Sequence, residues 1–164
     1  IDKEHSPDKR FDAVTEMFFD SDFGYEREYL NGPTAYTKEA EETKPSVVIV
    51  SRQIGIRDFD PGLPIPKVKR FGLVRRKPEL TTDTLAVAWR DDHAPLFGAN
   101  NYLKRYYVNL TDRTYAPDVP WDGYADIWWD DFKNVGLRFD RRVPEPESDA
   151  SEVIYMFMTP RTVI

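Results

Sequence analysis

The sequence of 164 residues contains no cysteine and only two histidines, His5 and His93. The lack of cysteine excludes disulfides, thiolate chemistry and cysteine metal sites. It also fits a reducing compartment, so we expect a cytoplasmic protein. The two histidines lie far apart in the chain and form no metal-binding motif. We therefore expect no metal site.

Several motifs that would indicate a function class are also missing. No apolar run approaches the ~20 residues of a membrane helix, and no signal-like segment begins the chain. No glycine-rich phosphate loop and no G-x-S-x-G nucleophile elbow occurs. The formal net charge of −6 argues against nucleic acid. We interpret the one basic region, KVKR (67–70) with RRK (75–77), as a solvated strand and turn. We expect no cofactor and no membrane or nucleic-acid partner.

The second half of the chain has the pattern of an α+β domain. Alternation of apolar and polar residues predicts strands over 68–76, 104–110, 124–131 and 152–161. A helix is predicted after the first strand, capped by Thr81 or Thr82. It should end near His93, because Pro95 disfavours helical geometry at the residue before it. The segment 132–139 is predicted as a short helix or irregular chain. The order β-α-β-β-(α)-β predicts a ferredoxin-like, split βαβ arrangement.

One segment of the first half resembles a segment of the second. FDAVTEMFFDS (11–21) matches WDGYADIWWDD (121–131) at a constant offset of 110. In both segments an acid, Glu16 or Asp126, precedes a pair of aromatic residues that begins at Phe18 or Trp128. This match predicts two repeats of the same fold in one chain.

The repeat predicts where the domains begin and end. We predict that 1–54 is the C-terminal half of a first ferredoxin-like repeat whose last strand is 45–54. A linker (55–65) and a complete second repeat (66–164) follow. Because the first repeat lacks its first half, we expect a dimer or pairing with a missing N-terminal segment. The alternative is that the first half is an N-terminal extension of its own.

The predicted strand 124–131 places a carboxylate among aromatic side chains. Alternation puts Tyr124, Asp126 and Trp128 on one face, and Glu16 lies beside Phe18 in the same way. If two sheets pack through these faces, the carboxylates line the space between them. An apolar, partly dry site favours the protonated form of a carboxyl group, which suits proton transfer. The alternative is an edge strand with a solvated outer face.

Tyr107 and Asn109 share one face of the predicted strand 104–110. A phenol and an amide that point into a cavity would orient an oxygenated ligand by hydrogen bonds. Ordinary cross-strand aromatic packing is the alternative for the tyrosine. The two residues are therefore candidate binding residues.

Two adjoining segments together resemble the EthD domain family of dimeric α+β barrel proteins. KPELTTDTLAVAWRDDHAPL (77–96) has the family's Lys-Pro turn, a helix with an aromatic near its end, and the His-Ala-Pro sequence. YLKRYYVNL (102–110) resembles the strand that follows. One departure is Leu110, where members often carry a second histidine. His5 is a candidate for that residue in the first copy.

The resemblance implies two ferredoxin-like units that pack sheet to sheet as a dimeric α+β barrel. It also implies a cofactor-independent dehydratase, isomerase or cyclase that acts on a small oxygenated aromatic or polyketide-like metabolite. The resemblance assigns the acid–base role to His93, with Asp126 and Glu16 as candidate partners. Tyr107, Asn109, Trp128, Phe18 and Tyr124 would hold the substrate. Two alternatives stay open: a non-catalytic accessory or metabolite-binding protein, and a haem-dependent relative with His93 as axial ligand.

His93 has two interpretations from its local sequence. A histidine titrates near neutrality, which suits acid–base work. The end of a helix, together with Asp91 and Asp92, would stabilise its charged form. Alternatively, His93 caps the helix end by bonding a backbone carbonyl.

Overall fold

The architecture comes from a computed structural model. The structure describes residues 1–7, 11, 14, 16, 49–57, 62, 64, 66–93, 95, 100–135 and 149–158. The chain divides into two compact units: Ile1–Asp12 with Ile49–Ile164, and Ala13–Val48. In the second unit only Val14 and Glu16 belong to the described residues, and both are half-buried. The first unit holds every strand and helix described below.

The first unit is an α+β fold built on one antiparallel five-stranded sheet. Its strands are β1 Ser51–Arg57, β2 Val68–Arg76, β3 Leu103–Thr111, β4 Gly123–Trp129 and β5 Ala150–Met158. Their order across the sheet is β1-β3-β4-β2-β5. The four strands predicted in the second half are confirmed, with shifts of one to three residues at some ends.

A helix joins β2 to β3. Helix α1 spans Thr82–Val87 and continues as a π-helical segment, Ala88–His93. The Thr81 side chain accepts a hydrogen bond from the backbone N–H of Thr84 at 3.0 Å, which satisfies one of the free donors of the first turn. The predicted cap at Thr81 is confirmed. The π-helical segment ends at His93, but Pro95 is again α-helical, so the predicted end of the helix near His93 is not confirmed. Nothing in the sequence indicates the change from α-helix to the wider π-helix after Val87.

Among the described strands, β3 and β4 are the only consecutive pair that are also neighbours in the sheet. β2 and β3 both run antiparallel to β4, which lies between them, so β2 and β3 are parallel and α1 crosses over from one to the other. In the same way β2 lies between β4 and β5. A short 3₁₀ helix, Phe132–Asn134, follows β4.

The strand predicted at 45–54 for a first repeat differs from the observed one. The structure has β1 at Ser51–Arg57, where it pairs with β3 and so extends the sheet of the second half. The strand crosses the predicted boundary at 54/55, so residues 55–57 are strand and not linker. The remainder of the predicted first repeat lies almost entirely outside the described residues.

The helix packs on one face of the sheet, and the main apolar core lies there. Trp89 of the helical segment donates its indole N–H to the Tyr106 hydroxyl at 3.2 Å. Core residues on this face are Val74, Leu85, Trp89, Leu103, Tyr106, Val108, Ala125, Ile127 and Trp129. As predicted for β4, Ala125, Ile127 and Trp129 share this face. We call the other side of the sheet, on which no helix of the described residues packs, the helix-free face.

Gly123 permits the close approach of β3, β4 and the helix. A Cβ at this position would lie 2.4 Å from the Asn109 carbonyl oxygen and 3.0 Å from the Trp89 ring. The first contact is with backbone, which has little freedom to move away. Only glycine therefore fits at the start of β4.

Candidate functional site

The helix-free face carries a buried ion pair at its centre. Lys69 on β2 and Asp126 on β4 are only 4% and 1% exposed, and Lys69 Nζ donates to Asp126 Oδ2 at 3.1 Å. Removing two charges from water costs several kcal/mol, which their attraction only partly offsets. A pair of this kind is therefore weak evidence for stability and a good candidate for function.

The register of the sheet explains why this lysine reaches this aspartate. Lys69 lies opposite Trp128, and Phe71 lies opposite Asp126, so Lys69 and Asp126 are diagonal neighbours on the same face. The lysine ammonium lies 4.8 Å from the centre of the Trp128 ring. The indole therefore forms one wall beside the ion pair and contributes a cation–π contact.

Aromatic side chains surround the pair on the neighbouring strands. Tyr107 on β3 lies directly opposite Asp126. Phe71 and Tyr124 stack with ring centres 4.4 Å apart. The Arg105 guanidinium lies 4.4 Å from the Tyr107 ring and 5.7 Å from the Trp128 ring. The charged pair thus lies in a patch whose walls are flat and largely apolar, suitable for a planar ligand.

Asn109 adds a hydrogen-bond donor to this face. It pairs with Tyr124 across β3 and β4 and is 1% exposed. Its side-chain Nδ2 has no hydrogen-bond partner among the residues that the structure describes. The indole Nε1 of Trp128 is buried and likewise unpartnered in the described part of the chain. Buried donors are rarely left in this state.

Five of the predicted site residues come together on the helix-free face. They are Tyr107, Asn109, Tyr124, Asp126 and Trp128. The predicted alternation of β4 is therefore confirmed for the residues on both of its faces. The edge-strand alternative for β4 is wrong, because β4 lies between β2 and β3 and all seven of its residues are buried.

His93 is not part of this group. It ends the π-helical segment, whose Trp89 packs in the core on the other face of the sheet, and its side chain is half-buried. The sheet therefore separates the helix that carries His93 from the Asp126 carboxylate. The predicted proton shuttle between these two residues gains no support from this arrangement.

The remaining predicted residues lie elsewhere. Glu16 is a half-buried residue of the other unit, and Phe18 lies outside the described residues. His5 lies in the N-terminal segment, where its Nδ1 is 2.7 Å from Asp2 Oδ2 and its ring contacts the Phe132 ring in a tilted arrangement, with ring centres 4.0 Å apart. The hydrogen bond to His5 lowers the pKa of Asp2. His5 thus has a structural partner of its own.

Lys69 is the site residue that the sequence analysis missed. The interpretation of the basic region, 67–70 with 75–77, as a solvated strand and turn is wrong for Lys69, which is buried. Its position two residues before Phe71 and four before Leu73 gave a signal, because alternate residues of a strand share a face. Lys69 therefore shares a strand face with two apolar residues, and this pattern predicts a buried lysine side chain in spite of its charge.

The described residues contain no group of His, Asp and Glu able to hold a metal ion. None of their helices is long and apolar enough to cross a membrane. Comparison with protein-family models, with curated proteins and with solved structures found no match to this chain.

Proposed function

We propose that this protein is an enzyme without a cofactor that performs acid–base chemistry on a small oxygenated aromatic or polyketide-like metabolite. The reaction class is dehydration, isomerisation or ring closure next to a carbonyl group. The observation that carries the proposal is the buried Lys69–Asp126 pair on the helix-free face, at 3.1 Å. Proton transfer of this kind needs a base, a group that stabilises the oxyanion, and walls that position the substrate.

Each residue of the site has a role in the proposed reaction. The Asp126 carboxylate takes a proton from the carbon next to the substrate carbonyl. The electron pair left behind moves onto the carbonyl oxygen, and the Lys69 ammonium stabilises the resulting enolate. Tyr107, Tyr124 and Trp128 hold the planar substrate. Lys69 thus takes the place that the sequence analysis gave to His93.

The strand order supports the finer fold assignment, which stays a proposal. A helix-linked parallel pair, β2 and β3, with β4 inserted between them is the arrangement of a split βαβ unit. We accordingly propose a ferredoxin-like unit of the EthD domain type that pairs sheet to sheet with a second such unit, in a dimer or with a further segment. A cytoplasmic location is a proposal that rests on the cysteine-free composition.

Proton exchange tests the proposed chemistry without knowledge of the natural substrate. A hydroxyacetophenone in D₂O should lose its methyl proton signal faster when the protein is present, as measured by NMR. Asp126→Asn should slow this exchange by about 10²–10⁴-fold, the usual effect of one general base. Asp130→Asn is the matched control, because Asp130 lies directly after β4 on the surface and pairs with Lys104. Equal exchange with the wild type and Asp126→Asn would contradict the proposal.

A non-catalytic metabolite-binding protein is the second candidate. The donors of Asn109 and Trp128, which lack partners among the described residues, favour it, because they would hold a ligand whether or not Asp126 moves a proton. Tight binding of planar oxygenated compounds with no proton exchange by the wild type would favour this function over the first.

A further inference from the structure

Two buried donors without acceptors lie on the same face as the buried ion pair. They are Nδ2 of Asn109 and Nε1 of Trp128, and neither has a partner among the described residues. One such donor alone is no evidence of a site, since Nε1 of Trp129, on the opposite face, also has no partner in the described part of the chain. The combination of two donors with a buried charge pair on one face is what needs an explanation.

The two donors lie on opposite sides of Asp126 along the sheet. Asn109 pairs with Tyr124, Tyr107 with Asp126, and Arg105 with Trp128. Trp128 is therefore four positions along β4 from Tyr124, the residue beside Asn109, which is roughly 14 Å at ~3.4 Å per residue. A single small group cannot reach both donors, whereas an elongated molecule can pass over the ion pair and meet one donor at each end.

The charges around Trp128 distinguish the two ends. Two cationic groups lie against this indole, Lys69 at 4.8 Å and Arg105 at 5.7 Å from the ring centre. At the other end, Asn109 and Tyr124 are neutral. An anionic oxygen is therefore stabilised at the Trp128 end, and a neutral acceptor at the Asn109 end.

We propose that the ligand of this site is an elongated aromatic acid with hydrogen-bond acceptors at both ends. Its carboxylate, or an equivalent anionic oxygen, lies at Trp128 Nε1 and its neutral carbonyl or hydroxyl oxygen lies at Asn109 Nδ2. The Lys69–Asp126 pair is then below the middle of the molecule. This inference rests on the proposed function for the location of the site and adds the chemical class and the orientation of the ligand.

Calorimetric titration with a set of rigid probes tests the inference. The full probe is 4′-hydroxybiphenyl-4-carboxylate. Biphenyl-4-carboxylate lacks the neutral acceptor, and 4-hydroxybiphenyl lacks the anion. We expect the full probe to bind at least about tenfold more tightly than either, since each added hydrogen bond to a buried donor is worth about this factor. Equal affinity for the full probe and both shorter ones would overturn the inference.

Single substitutions assign each donor to one end of the probe. Asn109→Leu should weaken the full probe about tenfold and leave biphenyl-4-carboxylate unchanged. Trp128→Phe should weaken both carboxylates and leave 4-hydroxybiphenyl unchanged. Trp129→Phe, which removes the unpartnered indole N–H of the other face, should change none of the three. If Asn109→Leu does not fold, Asn109→Ser provides the same comparison. A uniform effect on all three probes would contradict the proposed orientation.

A negative result in the binding experiment can be distinguished from a negative result in the proton-exchange experiment. Preference for the full probe without Asp126-dependent proton exchange supports the ligand class and contradicts the catalytic function. Asp126-dependent exchange without that preference contradicts the ligand class alone.

Discussion

At the scale of single residues, Lys69 is the position where charge and burial conflict most. A lysine this buried is retained only with a partner, and Asp126 supplies it at 3.1 Å. The sequence shows both residues, and alternation places Asp126 on the correct face. Alternation also places Lys69 on the face of Phe71 and Leu73, but the sequence does not show which strands cover its side chain, because they are distant in the chain.

Lys69→Met tests how strongly the two charges depend on each other. The substitution leaves the Asp126 carboxylate buried without its ammonium partner, and we expect the free energy of unfolding to fall by about 3–5 kcal/mol. Urea denaturation at pH 7 measures this change. Lys69→Met combined with Asp126→Leu should recover most of the loss, because no isolated charge remains. A double variant as unstable as the single one would show that the pair does not carry the effect.

Gly123 gives a second prediction at this scale. Gly123→Ala places a methyl group 2.4 Å from the Asn109 carbonyl oxygen, so β4 must shift away from β3. We expect a loss of about 1–3 kcal/mol or more, the usual cost of forcing an extra methyl into a packed site. Thermal unfolding followed by circular dichroism measures it. Gly72→Ala is the control with a smaller expected effect, because its added methyl meets side chains and not backbone: Tyr155 at 3.2 Å and Ala125 at 3.9 Å.

At the scale of elements, β1 is attached to the sheet through an acid-sensitive contact. The Asp112 carboxylate, at the end of β3, accepts a hydrogen bond from Arg52 Nε of β1 at 3.0 Å and one from the Thr114 N–H. The hydrogen bond from Arg52, followed by the one from Thr114, lowers the pKa of Asp112. A carboxyl group with a lowered pKa stabilises the folded state when it is ionised, and this contribution is lost as the pH falls through the lowered value.

Asp112→Asn should therefore reduce stability only above the acid range. At pH 7 we expect a loss of roughly 1 kcal/mol, because Arg52 is exposed and its ion pair is screened by water. Once the pH lies below the lowered pKa of Asp112, both proteins have a neutral group at this position, and the difference should shrink toward zero. Urea denaturation over a series of pH values from 7 into the acid range measures this. A difference that stays constant as the pH falls would mean that ionisation of Asp112 is not involved.

The elements also show what the sequence can and cannot predict. β2 and the helix start at Thr81 follow from local alternation and capping, and both were predicted correctly. The pairing of β1 with β3 was not predicted, since nothing within 51–57 specifies which sheet edge the strand joins. Likewise, the face on which His93 lies depends on the packing of Leu85 and Trp89 and not on the residues beside it.

At the scale of the whole molecule, the charge balance predicts a solubility minimum. The net charge of −6 at pH 7 falls to zero near pH 5.0, where repulsion between molecules is weakest. We expect the protein to precipitate most readily near pH 5, as measured by light scattering in low salt. Lys67→Glu, at an exposed position, should move this minimum to lower pH because it makes the net charge more negative by two. An unchanged minimum would contradict an origin in net charge.

The alternation along β4 has a consequence for how this protein can change over evolutionary time. Neighbouring positions of this seven-residue strand serve different purposes, as Trp128 faces the ion pair while Trp129 lies in the core. An inserted or deleted residue would exchange the two sets for the rest of the strand. Residues of β4 can thus be substituted one at a time during evolution, whereas inserting or deleting a residue in this strand prevents folding. A library of single-residue insertions between Gly123 and Trp129 should yield no soluble clones, and any soluble, cooperatively folding clone would refute this.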